Sequence, residues 1–407
     1  MQYECQKSLS WQTKHMERTE LEALLDPDSL RLLAQLREKD ETTEAADLVP
    51  QLRKAGHSAE RVSAVLGQWA LRAKAVDKFG AFADRMLFTK QGLEQATRLA
   101  IASHHATRFE HANLHSVADL GCGIGGDSLA FAGLSLNVHA VDSDPVTIAI
   151  AGYNLQPFDT VRVSAQRAED TDLAGVEALW LDPARRSGSQ RLNDPADWSP
   201  GLEWVIEQAR HRPAGIKLAP GMDRGLIPEG MEAQWISHHG SVAEMVLWSR
   251  DLARPGITRS ALVISPRGTA ELTGASDAAD AAVGELGDYL VEPDGGVIRA
   301  RLIGDLAREH DGVMLDDSIA YFSTHQPVTS ALAQCFAIES VVPYNLKRVK
   351  DLVATAQVGS LEIKKRGIDV DPAELRKELP LDGEGEKTLI LTRYRGDRIA
   401  ILASRLS

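Results

Sequence analysis

An α/β protein, with a helical segment before a parallel sheet and smaller α+β segments after it, is the fold class this sequence predicts. Three observations carry that expectation. Apolar residues recur at helical spacing through the first hundred positions. From about residue 115 they regroup into short runs separated by helix-length stretches, the pattern of parallel strands joined by crossover helices. One of the strand-to-helix turns is rich in glycine. The 407 residues are enough for several domains of about 100–200 residues each. The changes of pattern predict a helical domain over 1–92, a sheet domain over 93–275, a small α+β, ferredoxin-like subdomain over 276–334 and a last α+β domain over 335–407.

The elements follow in order. Between Ser58 and Phe79, Val62, Val65, Leu66, Trp69, Ala70, Ala73 and Val76 form the stripe of an amphipathic helix. Leu21 to Arg37 reads as a second helix, and Gln91 to Arg108 as a third with Thr89 as its N-cap. Strands are expected at Val117–Leu120, Val138–Val141, Val161–Val163, Ala178–Leu181, Gly215–Leu218, Met245–Trp248 and Ala261–Ile264. The last two are too close for a long crossover helix, so an antiparallel pair at the sheet edge is expected. The Ala-, Gly- and Asp-rich stretch Gly268 to Gly287 reads as the boundary of the sheet domain. Beyond it, Val297–Leu302 and Ile319–Phe322 read as strands. From Phe336 the order is strand, helix, strand, helix and hairpin. The last helix opens with Asp371 at the N-cap, Pro372 at N1 and Glu374 at N3.

Composition narrows the function classes. Hydrophobic residues are 43% and charged residues 25%, as in ordinary globular chains, while aromatics are only 5%, so the cores must be mostly aliphatic. Cys5, Cys122 and Cys335 are far apart, which excludes a disulfide scaffold and any CxxC site and suits a reducing cytoplasm. The N-terminal residues lack a signal-peptide pattern, and no apolar run approaches a membrane span, so a cytoplasmic protein without a membrane partner is expected. The net charge of −13 is uneven: residues 1–100 balance to zero, 335–407 carry +2 and the middle carries −15. Any contact with nucleic acid is therefore expected toward the C-terminal end. There Lys364, Lys365 and Arg366 form a basic run suited to a phosphate backbone, or equally to a solvated face balanced by Glu362, Asp369 and Glu374. The pairs His104-His105 and His238-His239 read as surface residues, and no metal site is expected because neighbours in sequence do not point at one ion.

The glycine turn carries the chemistry. Asp119-Leu120-Gly121-Cys122-Gly123-Ile124-Gly125-Gly126-Asp127 follows the first strand directly, where glycine lets a cofactor approach the backbone. The spacing of Gly121, Gly123 and Gly126 also fits a dinucleotide site, or a tight turn with no ligand. Asp119 stands where a carboxylate can meet a cationic amino group. Asp127 puts negative charge at a helix start, where a pyrophosphate would be repelled. Asp142 closes the second strand, where an acid can accept both hydroxyls of a ribose. A cofactor with an amino group, a ribose and no phosphate satisfies all three, and S-adenosylmethionine is such a cofactor. Cys122, Gly125, Ser143, Asp144, Glu169 and Asp170 complete the candidate cofactor set.

A second constellation, Asp182-Pro183-Ala184-Arg185-Arg186, follows the fourth strand, where ligands of open parallel sheets sit. Asp182 offers an acceptor for an amino group, Pro183 stiffens the turn, and Arg185 and Arg186 suit a phosphate or the face of a base. These four are the candidate catalytic residues. The glycine turn, Asp142 and Asp182–Arg185 resemble motif I, the acidic loop and motif IV of class I S-adenosylmethionine-dependent methyltransferases. The layout is similar to the bacterial enzymes of that class that end in a THUMP-like domain. Phe88-Thr89-Lys90-Gln91-Gly92-Leu93-Glu94-Gln95-Ala96-Thr97 matches their Phe-Thr-x-x-Gly-Leu-Glu-Gln-Ala-Thr segment, and Ile363–Gly367 with Leu389–Arg393 resembles their ending. Amino-methylating members usually carry Asn/Asp-Pro-Pro and an aromatic; here Ala184 and Arg185 occupy the last two places.

The resemblance implies a Rossmann-like methyltransferase sheet, S-adenosylmethionine as cofactor and an RNA substrate. Methylation at carbon 5 of a pyrimidine would need a cysteine near the fourth or fifth strand. None stands there, which favours a nitrogen or oxygen target, and the reading taken is a base nitrogen of rRNA or tRNA. An NAD-dependent oxidoreductase and a non-catalytic RNA-binding protein that keeps the fold remain as alternatives from the residues alone.

Overall fold

The computed structural model describes residues 16, 18–37, 45–184, 186–187, 190–191, 194 and 197–406. The chain divides into two compact units, Met1–Lys217 with Ser249–Leu252, and Leu218–Trp248 with Ala253–Ser407.

The first unit begins with α1 (Arg18–Leu25), α2 (Pro27–Leu36), α3 (Ala45–Lys54) and α4 (Ala59–Phe79). Leu21 to Arg37, read as one helix, is two. The Asp26 carboxylate accepts from the Asp28 and Ser29 backbone N–H groups and Pro27 stands at the first helical position, so a new helix starts there. The Ser58 hydroxyl caps α4, accepting from the Arg61 N–H, and Gly80, at φ 53°, ends it. Next come α5 (Lys90–Gln95) and α6 (Leu99–His111), a break in the single helix expected from Gln91 to Arg108. Thr89 does cap α5, accepting from the Gly92 N–H.

The sheet of this unit holds β1 (Ser116–Leu120), β2 (Asn137–Asp142), β3 (Val161–Ala165), β4 (Ala178–Leu181) and, after two short strands β5 (Arg186–Ser187) and β6 (Gln190–Arg191), β7 (Ala214–Leu218). The crossover helices are α7 (Gly126–Gly133), α8 (Pro145–Leu155) and α9 (Leu202–His211). β1 pairs in parallel with β2 and β4, β2 with β3, and β4 with β7, so the spatial order is β7-β4-β1-β2-β3. The order reverses between β1 and β4, and the crevice at the carboxyl ends of these strands is the switch point where such sheets take ligands. Beneath it the core is aromatic: Trp180 packs edge-on against Phe109 and Phe131.

The second unit contains β8 (Glu232–His238), β9 (Ser241–Ser249), β10 (Arg259–Ser265) and β11 (Gly268–Gly274). The antiparallel pair expected between Met245–Trp248 and Ala261–Ile264 does not form. β8 lies between them, antiparallel to β9 and parallel to β10. β11 pairs with β10 along its length, so the first third of the expected Gly268–Gly287 boundary is a strand. β12 (Tyr289–Pro293), α10 (Gly295–Ala300), α11 (Ile303–Glu309), β13 (Val313–Met314) and β14 (Phe322–Thr324) follow, then β15 (Ala333–Pro343), α12 (Leu346–Thr355), β16 (Val358–Lys365), α13 (Pro372–Lys377), β17 (Gly385–Tyr394) and β18 (Asp397–Arg405).

Val297–Leu302, read as a strand, is mostly the helix α10. Its alternation also places Val297 and Ala300 one turn apart on a buried face, and the Asp294 carboxylate caps the Gly296 N–H. Of Ile319–Phe322 only Phe322 is in a strand. From β15 onward the expected order of elements is observed, with Asp371 accepting from the Ala373 and Glu374 N–H groups at the start of α13. One seven-stranded sheet, β13-β14-β12-β15-β18-β17-β16, joins the strands of 276–334 to those of 335–407. Val349 and Val353 of α12 and Leu375 of α13 pack with Leu361, Leu389, Leu391, Ala400 and Leu402.

Candidate active site

The turn after β1 is shaped by three glycines with positive φ: Gly121 at 96°, Gly123 at 55° and Gly125 at 87°. Their reasons differ. A Cβ on Gly121 would lie 2.6 Å from the Asp182 carbonyl oxygen, so glycine is what lets the turn press against the end of β4. A Cβ on Gly123 would meet no protein atom within 4 Å. The Gly121 and Cys122 N–H groups donate to the Val141 carbonyl, at 2.9 and 3.0 Å, which holds the turn to the end of β2. Asp142, at that end, accepts from the Gly123 N–H at 3.1 Å and the Asp144 N–H at 2.9 Å. Burial raises its carboxyl above the ordinary aspartate value, against the pull of those N–H groups.

Around this turn lies a connected set of ionisable groups. Asp119 is buried at the end of β1; its Oδ2 accepts from the Ser128 hydroxyl at 2.5 Å. Its Oδ1 is buried without a hydrogen-bond partner. Burial, together with the charges of Asp127 and Asp182, pushes this carboxyl up to about 8. Asp127, in the first turn of α7, engages both oxygens: Oδ1 lies 2.9 Å from His105 Nδ1, and Oδ2 accepts from the Thr97 hydroxyl at 2.7 Å. Burial acts to raise the Asp127 carboxyl, but the His105 hydrogen bond, the Lys217 ammonium and Thr97 hold it below the ordinary range. Lys217, one residue before the end of β7, donates to Thr97 Oγ1 at 2.9 Å and stands 2.5 Å from Asp182 Oδ2 and 3.9 Å from Asp127 Oδ2. Asp182 itself, just past β4, keeps 32% of its side chain exposed.

The segment Phe88–Thr97 is folded onto the turn. Gly92 sits so close that a Cβ would come 2.5 Å from Ile124 Cγ2. Asn154 of α8 donates to the Leu87 and Ile124 carbonyls and accepts from the Leu87 N–H, joining segment, turn and helix. Gln68 of α4 exchanges two hydrogen bonds with the Phe88 backbone.

Comparison with known proteins agrees with this geometry. An uncharacterized S-adenosylmethionine-dependent methyltransferase of Mycobacterium tuberculosis, recorded in strains CDC 1551 and H37Rv, is 32% identical over 335 residues, 79% of this chain and 90% of the relative. This chain belongs to the S-adenosylmethionine-dependent methyltransferases. Residues 333–405 match the THUMP domain-like family, and residues 17–75 match a domain of unknown function. A crystal structure of a Porphyromonas gingivalis W83 protein named as a methyltransferase shares the fold, with a TM-score of 0.72 at 18% identity, covering 94% of this chain and 99% of that one.

In this methyltransferase the predicted residues are not equally placed. Asp119, Gly121, Cys122, Gly123, Gly125, Asp127, Asp142 and Asp182 gather at the carboxyl ends of β1, β2 and β4. Ser143 follows directly, while the Asp144 carboxylate caps α8 through the Thr147 N–H. Glu169 pairs with Arg167 at 2.9 Å and Asp170 is exposed, both in the turn after β3. The Cys122 thiol is buried, and burial and the nearby Asp119 and Asp142 push it well up. Pro183 is buried, and Ala184 exchanges two backbone hydrogen bonds with Ser199. Arg185 lies outside the described residues, and of Arg186 only the backbone, in β5, is described.

The basic run at the end of β16 is not a free patch. Lys364 lies 2.7 Å from Glu292 Oε2, and Arg366 lies 3.7 Å from Glu292 Oε1 and over the Tyr321 ring. Lys365, one residue out of phase, is exposed.

Lys217, Thr97, His105 and Ser128 are the site residues that sequence reasoning missed. The expectation that His105 is a surface residue is corrected: it is fully buried and stacks on Trp180 with ring centroids 4.3 Å apart. Its spacing could have shown this, since His105 stands four residues from both Ile101 and Phe109 on the buried stripe of α6. For Lys217 the signal was a charged residue inside an apolar strand run.

Proposed function

We propose that this enzyme methylates a base nitrogen of RNA, either rRNA or tRNA, in the cytoplasm. The observation that carries this reading is Asp182, a partly exposed carboxylate held by Lys217 just beyond β4. As an acceptor at the switch point it suits an N–H of the target. Carbon methylation through a thiolate is disfavoured on the same ground, because Cys122 and Cys335 are both buried with thiols pushed up, and Cys335 belongs to the second unit. Cys5 lies outside the described residues. The THUMP-like match over 333–405 supports RNA as the polymer.

The residues present fit S-adenosylmethionine, which supplies an electrophilic methyl group on a sulfonium. The unpartnered Asp119 Oδ1 is a place for a cationic amino group, and the space over Gly123 beside Asp142 is a place for a ribose. Gly121, Cys122 and Gly125 shape that floor, Asp127 orients it from beneath, and Ser143, Asp144, Glu169 and Asp170 form its rim. Asp182 and Pro183 face the target, and Arg185 and Arg186 stay candidates from the sequence alone. Lys364, Lys365 and Arg366 then serve the polymer, Lys365 most directly. The domains run as 1–92, 93–275, 276–334 and 335–407, with Phe88–Thr97, which crosses the first boundary, seated on the cofactor turn.

The test is transfer of tritiated methyl from S-adenosylmethionine to RNA isolated from a strain lacking the protein. Label in a modified nucleoside that is released on nuclease digestion is expected. Label only in protein, or a 5-methylpyrimidine product, would overturn the reading.

A further inference from the structure

Among the described residues of the first unit, Lys217 is placed where packing alone would put an aliphatic side chain. Its neighbours in β7, Ile216 and Leu218, are buried, and its own side chain is only 13% exposed. Withdrawing an ammonium from water is costly unless close partners replace the water. The partners here are unequal. Asp127 already has His105 and Thr97, and lies 3.9 Å away, whereas Asp182 Oδ2 lies at 2.5 Å. Asp182 stands outside β4 in a loop, so the strand pairing of β4 does not depend on its charge. The fold thus bears the burial of a lysine next to a carboxylate that the fold itself does not require.

We infer that Lys217 is a positioning residue for methyl transfer, holding Asp182 ionised and aimed at the target N–H. This rests on the proposed role of Asp182. An ionised carboxylate is an acceptor only, so it can orient an N–H and not a second acceptor atom. In the step it serves, the nitrogen lone pair forms the C–N bond as the methyl C–S bond breaks. Sulfur keeps that electron pair and becomes a neutral thioether, and the proton left on nitrogen passes to Asp182 or on to water. Lys217 touches no reacting atom. It fixes one Asp182 oxygen, and through Thr97 it ties that oxygen to the end of the Phe88–Thr97 segment, so segment and acceptor keep one geometry. Among the described residues, Lys217 stands 2.5 Å from Asp182 and favours its ionised form, while the nearby Asp119, when ionised, opposes it.

Lys217→Met, Lys217→Arg, Asp182→Asn and the Lys217→Met/Asp182→Asn pair would be compared by tritiated methyl transfer to RNA from a strain lacking the protein. S-adenosylhomocysteine affinity and melting would be measured alongside. Lys217→Met is expected to lower kcat by about 100-fold, the scale of a displaced reacting group, with KM for RNA and S-adenosylhomocysteine affinity within about threefold. Lys217→Arg should recover much of the rate. The double variant should be no slower than Asp182→Asn alone, because the lysine acts through that carboxylate. Additive losses, or a lowered melting temperature with kcat unchanged, would overturn the inference and leave the lysine a structural ion. A second measurement does not depend on the substrate. The carboxyl carbon of Asp182, identified by carbon-13 difference spectra against Asp182→Asn, should titrate at least one pH unit higher in Lys217→Met. An unmoved titration overturns the inference even if RNA is not the substrate, whereas a moved titration with no label transferred by the wild type sinks only the RNA reading.

Discussion

Asp119 shows how one buried atom can tie stability to ligand binding. The unfolded chain titrates this residue at its ordinary value of 3.8, while in the folded protein burial and the neighbouring carboxylates push it up to about 8. Between these values the folded state holds a proton that the unfolded state has lost, so the group lowers stability as pH rises through that window. The penalty is absent below about pH 4 and complete above about pH 8. Melting of the ligand-free protein should therefore fall between pH 6 and 8 by more in the wild type than in Asp119→Asn, which keeps the shape and loses the titration. S-adenosylhomocysteine, by offering a cationic amino group to Oδ1, should narrow that difference. Parallel melting curves for the two proteins would remove Asp119 from the account. His105 teaches a related lesson: a residue that looks like one of a surface pair is buried because α6 turns that position inward every fourth residue.

At the scale of elements, the turn after β1 is held from three directions. Val141 of β2 takes its N–H groups, Asn154 of α8 takes Ile124, and Gly92 of α5 lies against the Ile124 side chain. Gly92→Val would place a Cβ 2.5 Å from Ile124 Cγ2 and 2.7 Å from the Thr89 hydroxyl that caps α5. Overpacking of this kind costs about 1–3 kcal/mol. Calorimetry should show a melting temperature several degrees lower, at about 2–4 °C per kcal/mol for a unit of this size, and titration should show weaker S-adenosylhomocysteine binding. Unchanged values for both would mean that α5 does not support the turn. The two helices read as one, Leu21–Arg37 and Gln91–Arg108, failed for a common reason. A helical stripe continues across a short break, and only a cap such as Asp26 shows where the backbone restarts.

For the whole molecule, the question raised by the proposed RNA substrate is which surface would meet it. The overall charge of −13 leaves few basic places, and the run at Lys364–Arg366 is only partly available. Lys364 and Arg366 share Glu292, so replacing both with alanine leaves a carboxylate that is 19% exposed without these two cations and with the Tyr321 hydroxyl still donating to it. That pair of substitutions should destabilise the protein by about 1–2 kcal/mol, visible as earlier melting. Lys365→Ala should leave melting alone and reduce the slope of RNA affinity against salt by about 0.7, one phosphate contact. An unchanged slope would place the RNA surface elsewhere on the chain.

The residues by themselves determined the class of the sheet, the strand-to-helix glycine turn, the capped helices at Thr89 and Asp371, and the cofactor that the three aspartates favour. These are local matters: a period of burial, a cap or a turn is written within a few neighbouring positions. Tertiary structure decided what depends on distant neighbours. Val297–Leu302 became a helix because six residues satisfy either period, and the Asp294 cap chose between them. β8 separated two strands that are close in sequence. Lys217, Thr97 and His105, which lie up to 120 positions apart, met at Asp127 and Asp182 because β7 brings the lysine, and α6 with the residues before it brings the other two, to the edge where β1 and β4 end. A linear sequence carries the identity of each such residue, but pairing across that distance exists only once the sheet has closed the loops between them.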